Sequence, residues 1–309
     1  MLALQAAVCL AMGISFMGKT VTPCRVVFYS AEDPVEIIRY RVAKICSHMQ
    51  IAPDMIARNM RLIDTTENPC LYEETKGGKH DITSGYTKLQ ELIQSFNAGV
   101  VIIDNASDTF DANENNRTHV RGFIRSLVHI GRNQGIAVLL LTHIDKNTAK
   151  GDNRSEGYSG STAWHNSARS RLYLTKDTSG IVKLEHQKSN HGKLSEAILM
   201  SFSPDYVLVH KTQEHIIAHE QHALKTVLII LEEYYNKEIY VSDSLSAITK
   251  HPFSVLSAHS DFPKSITSKK QMNVLMIQAK ADGYLVVEEY RDKNRKVHNR
   301  YKIKLAEKT

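Results

Sequence analysis

The sequence predicts an α/β protein built on a mostly parallel β-sheet, with a smaller α+β domain at its carboxyl end. Residues 100–103 and 136–141 are unbroken runs of apolar residues. Such runs are typical of strands that helices cover on both faces. Amphipathic helical patterns alternate with these runs, and that order favours parallel strands joined by right-handed crossovers.

The elements of the sheet region follow from local patterns. Gly13 ends a first helix, and Asp33 and Pro34 suit the N-cap and first position of a second one. The predicted helices are 1–12, 34–49, 54–59, 85–97 and 115–133. The predicted strands are 25–30, 60–64, 100–104 and 135–143, with a polar loop at 65–83.

The pattern changes after residue 143. A long polar loop, 144–161, leaves the carboxyl end of a strand, and a loop of that kind is either functional or disordered. A short helix at 162–169 follows it. Four short strands come next, and we expect them to extend the sheet as antiparallel strands: 170–176, 181–187, 197–202 and 206–210.

The carboxyl-terminal region has helical patterns at 224–235 and 268–281, then two strands at 283–290 and 299–305. Helices followed by a terminal β-ribbon resemble a winged helix. We therefore predict two domains, 1–217 and 218–309.

Composition narrows the class of protein. The 42% of hydrophobic residues suits a globular protein, and no apolar run approaches the roughly 20 residues that span a bilayer. The four scattered cysteines predict reduced thiols in a cytoplasm, with neither disulfides nor a zinc site. A net charge of +6 and a pI near 9.0 favour a polyanionic partner.

Three polar residues follow predicted strands. Asp104 suits a Mg²⁺ site reached through a water, or it only caps the following turn. Glu32 can orient an attacking water, or it serves as a helix-capping carboxylate. His143 can sense a γ-phosphate, or it is an ordinary loop histidine.

Two basic residues lie further along the chain. Arg169, at the end of the short helix, can supply positive charge to the nucleotide of a neighbouring subunit, or it is a solvated surface arginine. Lys188 can place a second cation near the same interface.

Residues 13–20, GISFMGKT, fit the phosphate-binding pattern GxxxxGK[ST] letter for letter. That loop works only between a strand and a helix, because helix N–H groups must point at the phosphate. Here a helix precedes it and a strand follows, and Phe16 and Met17 are bulky where phosphate must approach. We interpret the segment as a false match.

The terminal ribbon carries a dense positive charge. Either a wing that contacts phosphates or a solvated edge hairpin would explain this positive charge. We expect Asp292 to be its only counter-charge in the turn. The candidate nucleic-acid contacts are Arg291, Lys293, Arg295, Lys296 and Arg300.

As a set, five segments resemble the RecA-fold replicative helicases of the plasmid RepA type, over about residues 1–210. They are VVFYSAEDPVEIIRYR, VVIIDNASDTF, LLLTHIDK, GSTAWHNSARSRLYL and KLEHQKSNHGK. The resemblance implies a RecA-like P-loop NTPase core and a ring-forming, hexameric, ATP-driven DNA helicase of plasmids, phages or integrated elements.

The resemblance also implies roles. It makes Glu32 the catalytic glutamate, Asp104 the Walker B aspartate, His143 the γ-phosphate sensor, Arg169 the arginine finger and Lys188 a nucleotide-binding helper. ATP and Mg²⁺ are the implied cofactors. The loop 144–161 would face single-stranded DNA in the central channel through Lys146, Lys150 and Arg154.

One element of the family pattern, the Walker A loop, is not found at the expected position. The Walker A element should directly precede Leu2–Gln5, where Met1 stands, so we expect weak ATPase activity or none from the chain as written. The alternative function is a non-catalytic DNA-binding protein of replication or regulation that uses the basic wing.

Overall fold

A computed structural model describes residues 1–75, 79–143, 163–177, 180–291 and 295–304. The described chain divides into two compact units. The first comprises Met1–Tyr173, Glu185–Ile198 and Phe202–His210. The second comprises Leu174–Leu184, Leu199–Ser201 and Lys211–Thr309.

The first unit contains a four-stranded parallel sheet. Its strands are β1 (Val26–Ser30), β2 (Met60–Asp64), β5 (Val100–Asp104) and β7 (Ala137–Leu140), in the order β2-β1-β5-β7. The three neighbouring pairs are all parallel. The predicted α/β class with a mostly parallel sheet is therefore confirmed.

Successive side chains of a strand point to opposite faces of the sheet, so the strands contribute to two hydrophobic clusters, one on each face. Phe28 and Ile102 pack with α1 (Leu2–Met12), α2 (Val35–Met49) and α3 (Pro53–Ala57). On the opposite face, Val101 and Ile103 pack against two further helices, α4 (Ser84–Phe96) and α6 (Arg117–Gln134). Both faces of the sheet are covered, which explains why its strands read as unbroken apolar runs.

The segment predicted as a polar loop, 65–83, contains two strands instead. They are β3 (Tyr72–Thr75) and β4 (Lys79–Ile82), in a three-stranded sheet of order β4-β3-β6. β6 (Phe110–Asp111) follows the short helix α5 (Ala106–Thr109). The prediction was wrong because both strands are polar: β3 and β4 pair with each other as antiparallel strands, and β3 also pairs with β6, which lies far along the sequence.

The amino-terminal end of α2 also differs from the prediction. Pro34 is the N-cap, and the Val35 N–H donates to Asp64 Oδ2 over 2.9 Å. Asp33, predicted as the N-cap, pairs with the Arg41 guanidinium. A carboxylate from the end of β2 has taken over the capping role.

A second four-stranded sheet follows α7 (Ala163–Ser167). It consists of β8 (Ser170–Lys176), β9 (Val182–Ser189), β10 (Ile198–Phe202) and β11 (Leu208–Lys211), in the order β11-β10-β9-β8. Among the described residues these strands form a sheet of their own. The expectation that they extend the parallel sheet was therefore wrong.

The carboxyl-terminal part of the second unit has its own hydrophobic core. Its elements are α8 (Gln213–Asn236), α9 (Pro252–Leu256), α10 (Lys269–Ala281) and the antiparallel hairpin β12 (Leu285–Arg291) with β13 (Val297–Ile303). Val227, Met276 and Tyr301 belong to one buried cluster. The predicted helices and ribbon are present; the winged-helix interpretation and the boundary at 217/218, which falls inside α8, stay predictions.

Within the described part of the chain, no helix has both the length and the apolar character needed to cross a membrane.

Candidate functional site

Three polar residues predicted from the sequence lie at the carboxyl-terminal edge of the parallel sheet. Asp104 is the last residue of β5 and is in register with Ser30 of β1. Glu32 comes just after β1, and His143 comes just after β7. Because β1, β5 and β7 are neighbouring parallel strands, their ends bring these residues to one place.

The Glu32 carboxylate joins the ends of the three strands. Its Oε2 accepts a hydrogen bond from Asn105 Nδ2 over 2.7 Å and lies 3.0 Å from His143 Nε2. A carboxylate only accepts, so this geometry requires the proton of His143 on Nε2. The hydrogen bond from His143, followed by that from Asn105, holds the pKa of Glu32 below its usual value. Glu32 is therefore ionised at neutral pH.

Asn105 is the site residue that sequence reasoning missed. Its Oδ1 accepts from the Asp108 N–H over 3.1 Å and caps α5, while its Nδ2 donates to Glu32. The Asp104–Asn105 peptide bond is cis. An asparagine directly after a buried strand was the available signal, but the partner 73 positions away in the sequence was not.

Asp104 has the opposite electrostatic environment. Burial raises its pKa, and the negative charge of Glu32 raises it further. Among the described residues, none donates a hydrogen bond to the Asp104 carboxylate. A half-buried carboxylate beside a second carboxylate is stabilised by a bound cation, so this is a natural position for one.

The amino-terminal end of α1 lies in the same electrostatic field. Burial and then the charge of Arg41 lower the pKa of the Met1 amino group, whereas the charge of Asp104 raises it. The first backbone N–H groups of a helix are unpaired and carry partial positive charge. The sheet edge therefore combines a half-buried carboxylate, an ionised carboxylate and a helix amino terminus.

The sequence GISFMGKT adopts no phosphate-binding geometry. Gly13 ends α1 in the left-handed region, and Phe16 and Lys19 exchange backbone hydrogen bonds of 2.8 and 2.9 Å across a tight turn. The next element is β1, which begins at Val26, and no helix starts between the turn and that strand. The order helix, turn, strand is the reverse of what a phosphate-binding loop requires.

Arg169 and Lys188 lie near each other. Lys188 Nζ donates to His165 O and Asn166 O over 2.9 and 3.0 Å, at the end of α7. Burial first, and then the charge of Arg169, lowers the pKa of Lys188. In the described part of the chain, neither residue is bonded to Glu32, Asp104 or His143.

The basic ribbon is partly neutralised, in contrast to the expectation that Asp292 alone balances it. Arg300 donates to Glu288 Oε1 from Nε and Nη2, over 2.9 and 2.6 Å, and Lys302 Nζ donates to Glu288 Oε2 over 2.8 Å. The bonds from Lys302, then Tyr235, and also Arg300 lower the pKa of Glu288 to about 2. The sequence concealed this pairing because Glu288 faces Arg300 from the opposite strand.

The remaining wing candidates differ in their surroundings. The Arg300 side chain is only 15% exposed, and its guanidinium lies over the rings of Tyr235 and Tyr290, at 4.2 and 4.7 Å from their centroids. Arg291, Arg295 and Lys296 are exposed. The candidates Lys146, Lys150, Arg154 and Lys293 lie outside the described residues.

Comparison with known proteins finds a family match in the first part of the chain. Residues 1–149 match the family model described as an AAA domain. This segment runs from α1 past β7 and contains Glu32, Asp104 and His143. No curated protein has a sequence that matches the chain.

Several solved structures resemble the chain at low sequence identity. One solved ATPase domain is 14% identical, with coverage of 61% of this chain and 75% of that one and a TM-score of 0.43. The RadB recombinase is 14% identical, with coverage of 68% and 84% and a TM-score of 0.43. A KaiC-like protein of Pyrococcus horikoshii is 10% identical, with coverage of 62% and 76% and a TM-score of 0.38.

Proposed function

We propose that this chain is a weakly ATP-hydrolysing protein of the DNA helicase type, acting in replication of a plasmid, phage or integrated element. The observation that carries the proposal is the cluster at the sheet edge. There Glu32 is held ionised by His143 and Asn105, beside the half-buried Asp104. The match of residues 1–149 to an AAA domain supports a nucleotide as the ligand of this edge.

The cluster suits phosphoryl transfer to water. Oε2 of Glu32 is engaged by Asn105 and His143, which leaves Oε1 to accept a hydrogen bond from an attacking water. His143 touches the same carboxylate, so it is placed to link the state of the γ-phosphate to the orientation of Glu32. The helix amino terminus of α1 adds favourable charge for phosphate oxygens.

Asp104 is the residue that would hold Mg²⁺. The described residues contain no group of three or more His, Cys, Asp or Glu side chains that could enclose a metal. Mg²⁺ does not need one, because it is commonly held by one or two carboxylates, water and the phosphates of the substrate. When bound, the ion supplies positive charge that neutralises the phosphate oxygens.

The finer parts of the proposal follow the same family resemblance. Copies of the chain assemble into a hexameric ring, and Arg169, with Lys188 beside it, completes the nucleotide site of the adjacent copy. Single-stranded DNA passes through the ring and contacts the loop 144–161. The wing-like region 218–309 provides a second DNA contact, and the protein acts in the cytoplasm.

Hydrolysis by a Glu32→Gln variant tests the proposal. Removing the ionised carboxylate should lower the Mg²⁺-dependent turnover of ATP by roughly 10²- to 10⁴-fold, while ATP binding persists, because a positioned base contributes about that much. Turnover is followed by phosphate release and binding by calorimetry. Glu36→Gln, an equal change at an exposed position in the first turn of α2, is the control and should hydrolyse ATP like the parent.

Two results would contradict the proposal. One is a Glu32→Gln variant that hydrolyses ATP at the rate of the parent. The other is a parent that binds DNA but neither binds nor hydrolyses ATP, which would favour the non-catalytic DNA-binding protein.

A further inference from the structure

One face of α6 carries a concentration of arginines that the proposed nucleotide site does not use. Val120, Phe123 and Leu127 turn into the core, and Arg121, Arg125 and Arg132 are exposed on the other side. The helix spans Arg117–Gln134 and contains no Asp or Glu. An exposed helical face usually mixes both signs of charge, so this face is unusual for a surface that meets only water.

The arginines line a cleft. Its volume is about 520 Å³, and the end of α7 and the start of the segment after β9 form its other side. None of the residues that line it carries a carboxylate: Arg121, Ile124, Arg125, Val128, His129, Arg132, Asn166, Ser167, Arg169 and Asn190. Lys188 lies nearby and adds positive charge. Burial first, and then the charge of Arg169, lowers the pKa of Lys188.

Within the part of the chain that the structure describes, the cleft arginines have no counter-charges of their own. In the described ranges, no hydrogen bond or ion pair involves the side chains of Arg121, Arg125, Arg132 or Arg169. Like charges gathered without partners repel one another and destabilise the folded state, unless an anion binds among them. Among the described residues, the guanidinium donors of Arg121, Arg125 and Arg132 are therefore available to a ligand with several negative charges, beside Arg169.

We propose that this cleft binds the phosphodiester backbone of a nucleic acid strand. Arg121 and Arg132 are separated along α6 by about 16 Å, at 1.5 Å per residue, which is longer than one phosphate group requires. No aromatic side chain other than the His129 ring lines the cleft, so bases have little platform on which to stack. Recognition therefore uses phosphates and is independent of sequence.

This inference rests on the proposed function only in taking nucleic acid as the partner. The loop 144–161 and the terminal ribbon are the regions already proposed to contact DNA, and no residue that lines the cleft belongs to either. The cleft gives the first unit a surface, next to Arg169, along which a nucleic acid strand can lie.

The test compares two double variants without nucleotide. The binding of a fluorescein-labelled oligodeoxythymidylate is measured by anisotropy at several salt concentrations. Arg121→Ala/Arg125→Ala should lower the affinity by roughly tenfold or more, since each bond that is removed involves a charged group. The slope of log K against log salt should become shallower by about 1.4, because each single-strand phosphate contact contributes about 0.7.

The matched control is Arg39→Ala/Arg58→Ala, which removes the same charge from exposed positions outside the cleft. It should change neither the slope nor, beyond a small amount, the affinity. Melting curves of both variants check that the fold persists. A cleft variant whose affinity and salt slope match those of the control overturns the proposal.

Two further outcomes also overturn it. If the cleft variant changes the oligomeric state in sedimentation but leaves oligonucleotide binding intact, the cleft contacts a second copy of the chain. If the parent hydrolyses ATP but does not bind the oligonucleotide, the inference fails while the proposed ATPase stands.

Discussion

Glu32 and Asp104 are two carboxylates whose environments move their pKa values apart. Hydrogen bonds from His143 and Asn105 lower the pKa of Glu32, whereas burial and the charge of Glu32 raise that of Asp104. A pair of titratable groups separated in this way is typical of sites where each has a different chemical role. In the proposed function the Glu32 carboxylate faces the attacking water, and the Asp104 carboxylate binds a cation.

Replacing Asp104 by Asn should stabilise the metal-free protein. The raised pKa means that folding penalises ionised Asp104, so its penalty is present at neutral pH and disappears as the pH falls and the group takes up a proton. Asp104→Asn should therefore melt at a higher temperature than the parent at pH 7 in chelator, and the gain should shrink at acidic pH.

Scanning calorimetry over a pH series measures this effect. Asp108→Asn, an exposed carboxylate in the neighbouring turn, is the control and should leave the melting temperature close to that of the parent. ATP with Mg²⁺ should close the gap, because only the parent binds the ion well. A lower melting temperature of Asp104→Asn at pH 7 would contradict the electrostatic account.

His143 should control the acidic limb of the ATP hydrolysis profile. Its hydrogen bond is the largest cause of the lowered pKa of Glu32, so His143→Ala should raise that pKa towards its usual value. If ionised Glu32 is required, activity is lost at a higher pH in the variant than in the parent. The measurement is kcat/KM against pH, with exposed His48→Ala as the control. An unmoved acidic limb would refute the coupling.

At the scale of elements, α6 packs closely against the three-stranded sheet β4-β3-β6, and this contact fixes the position of the helix. Phe123 lies against Tyr72, Phe110 and Trp164, with ring centroids between 5.3 and 6.1 Å from its own. Gly122 allows the contact, because a Cβ built on it would lie 2.2 Å from Tyr72 Oη. The strand β3, which looked like loop in the sequence, is thus a packing partner of the arginine-bearing helix.

Gly122→Ala should destabilise the protein by about 1–3 kcal/mol, because the added methyl overpacks this contact. In an exposed helix the same change would stabilise by up to about 1 kcal/mol. Denaturant unfolding distinguishes the two signs. Adding Tyr72→Phe should recover part of the loss, since the nearest atom is then a ring carbon at 3.0 Å. A more stable Gly122→Ala variant would show that the helix can shift.

The strands of the parallel sheet could be predicted because their apolar runs report burial on both faces directly. The positions of Glu32, Asp104 and His143 followed, since parallel strands end at one edge. Other features depend on partners that a local pattern does not contain. Asp64 caps a helix 29 positions away, and Glu288 neutralises Arg300 across a hairpin. Such pairings become visible only when the chain is folded.

At the scale of the whole molecule, the described chain has separate hydrophobic cores. Two clusters lie on the faces of the parallel sheet, and a third lies among α8, α9, α10 and the terminal hairpin. The candidate chemistry belongs to the first unit, and the exposed ribbon residues Arg291 and Arg295 belong to the second. Each unit can therefore be altered without removing the core of the other.

Substitutions in the ribbon should weaken DNA binding according to their partners. Arg291→Ala/Arg295→Ala removes exposed cations and should lower the affinity for DNA roughly uniformly across sequences, and each phosphate interaction removed should make the salt slope shallower by about 1. Arg300→Ala should instead lower stability, because it leaves Glu288 without one of its partners.

Anisotropy titrations and melting curves record the two effects, and Lys225→Ala on α8 is a charge-matched control for Arg300→Ala. A ribbon variant that binds DNA as the parent does would remove the wing from the proposal.

One oxygen atom, Glu32 Oε2, is bonded by residues that follow two different neighbouring strands, at 2.7 and 3.0 Å. A strand that slides by one residue moves its end by about 3.3 Å, which is enough to break either bond. The two bonds therefore persist only while β5 and β7 keep their present alignment. A movement that displaces β7 relative to β5 would break one of them and remove part of the cause of the lowered pKa of Glu32.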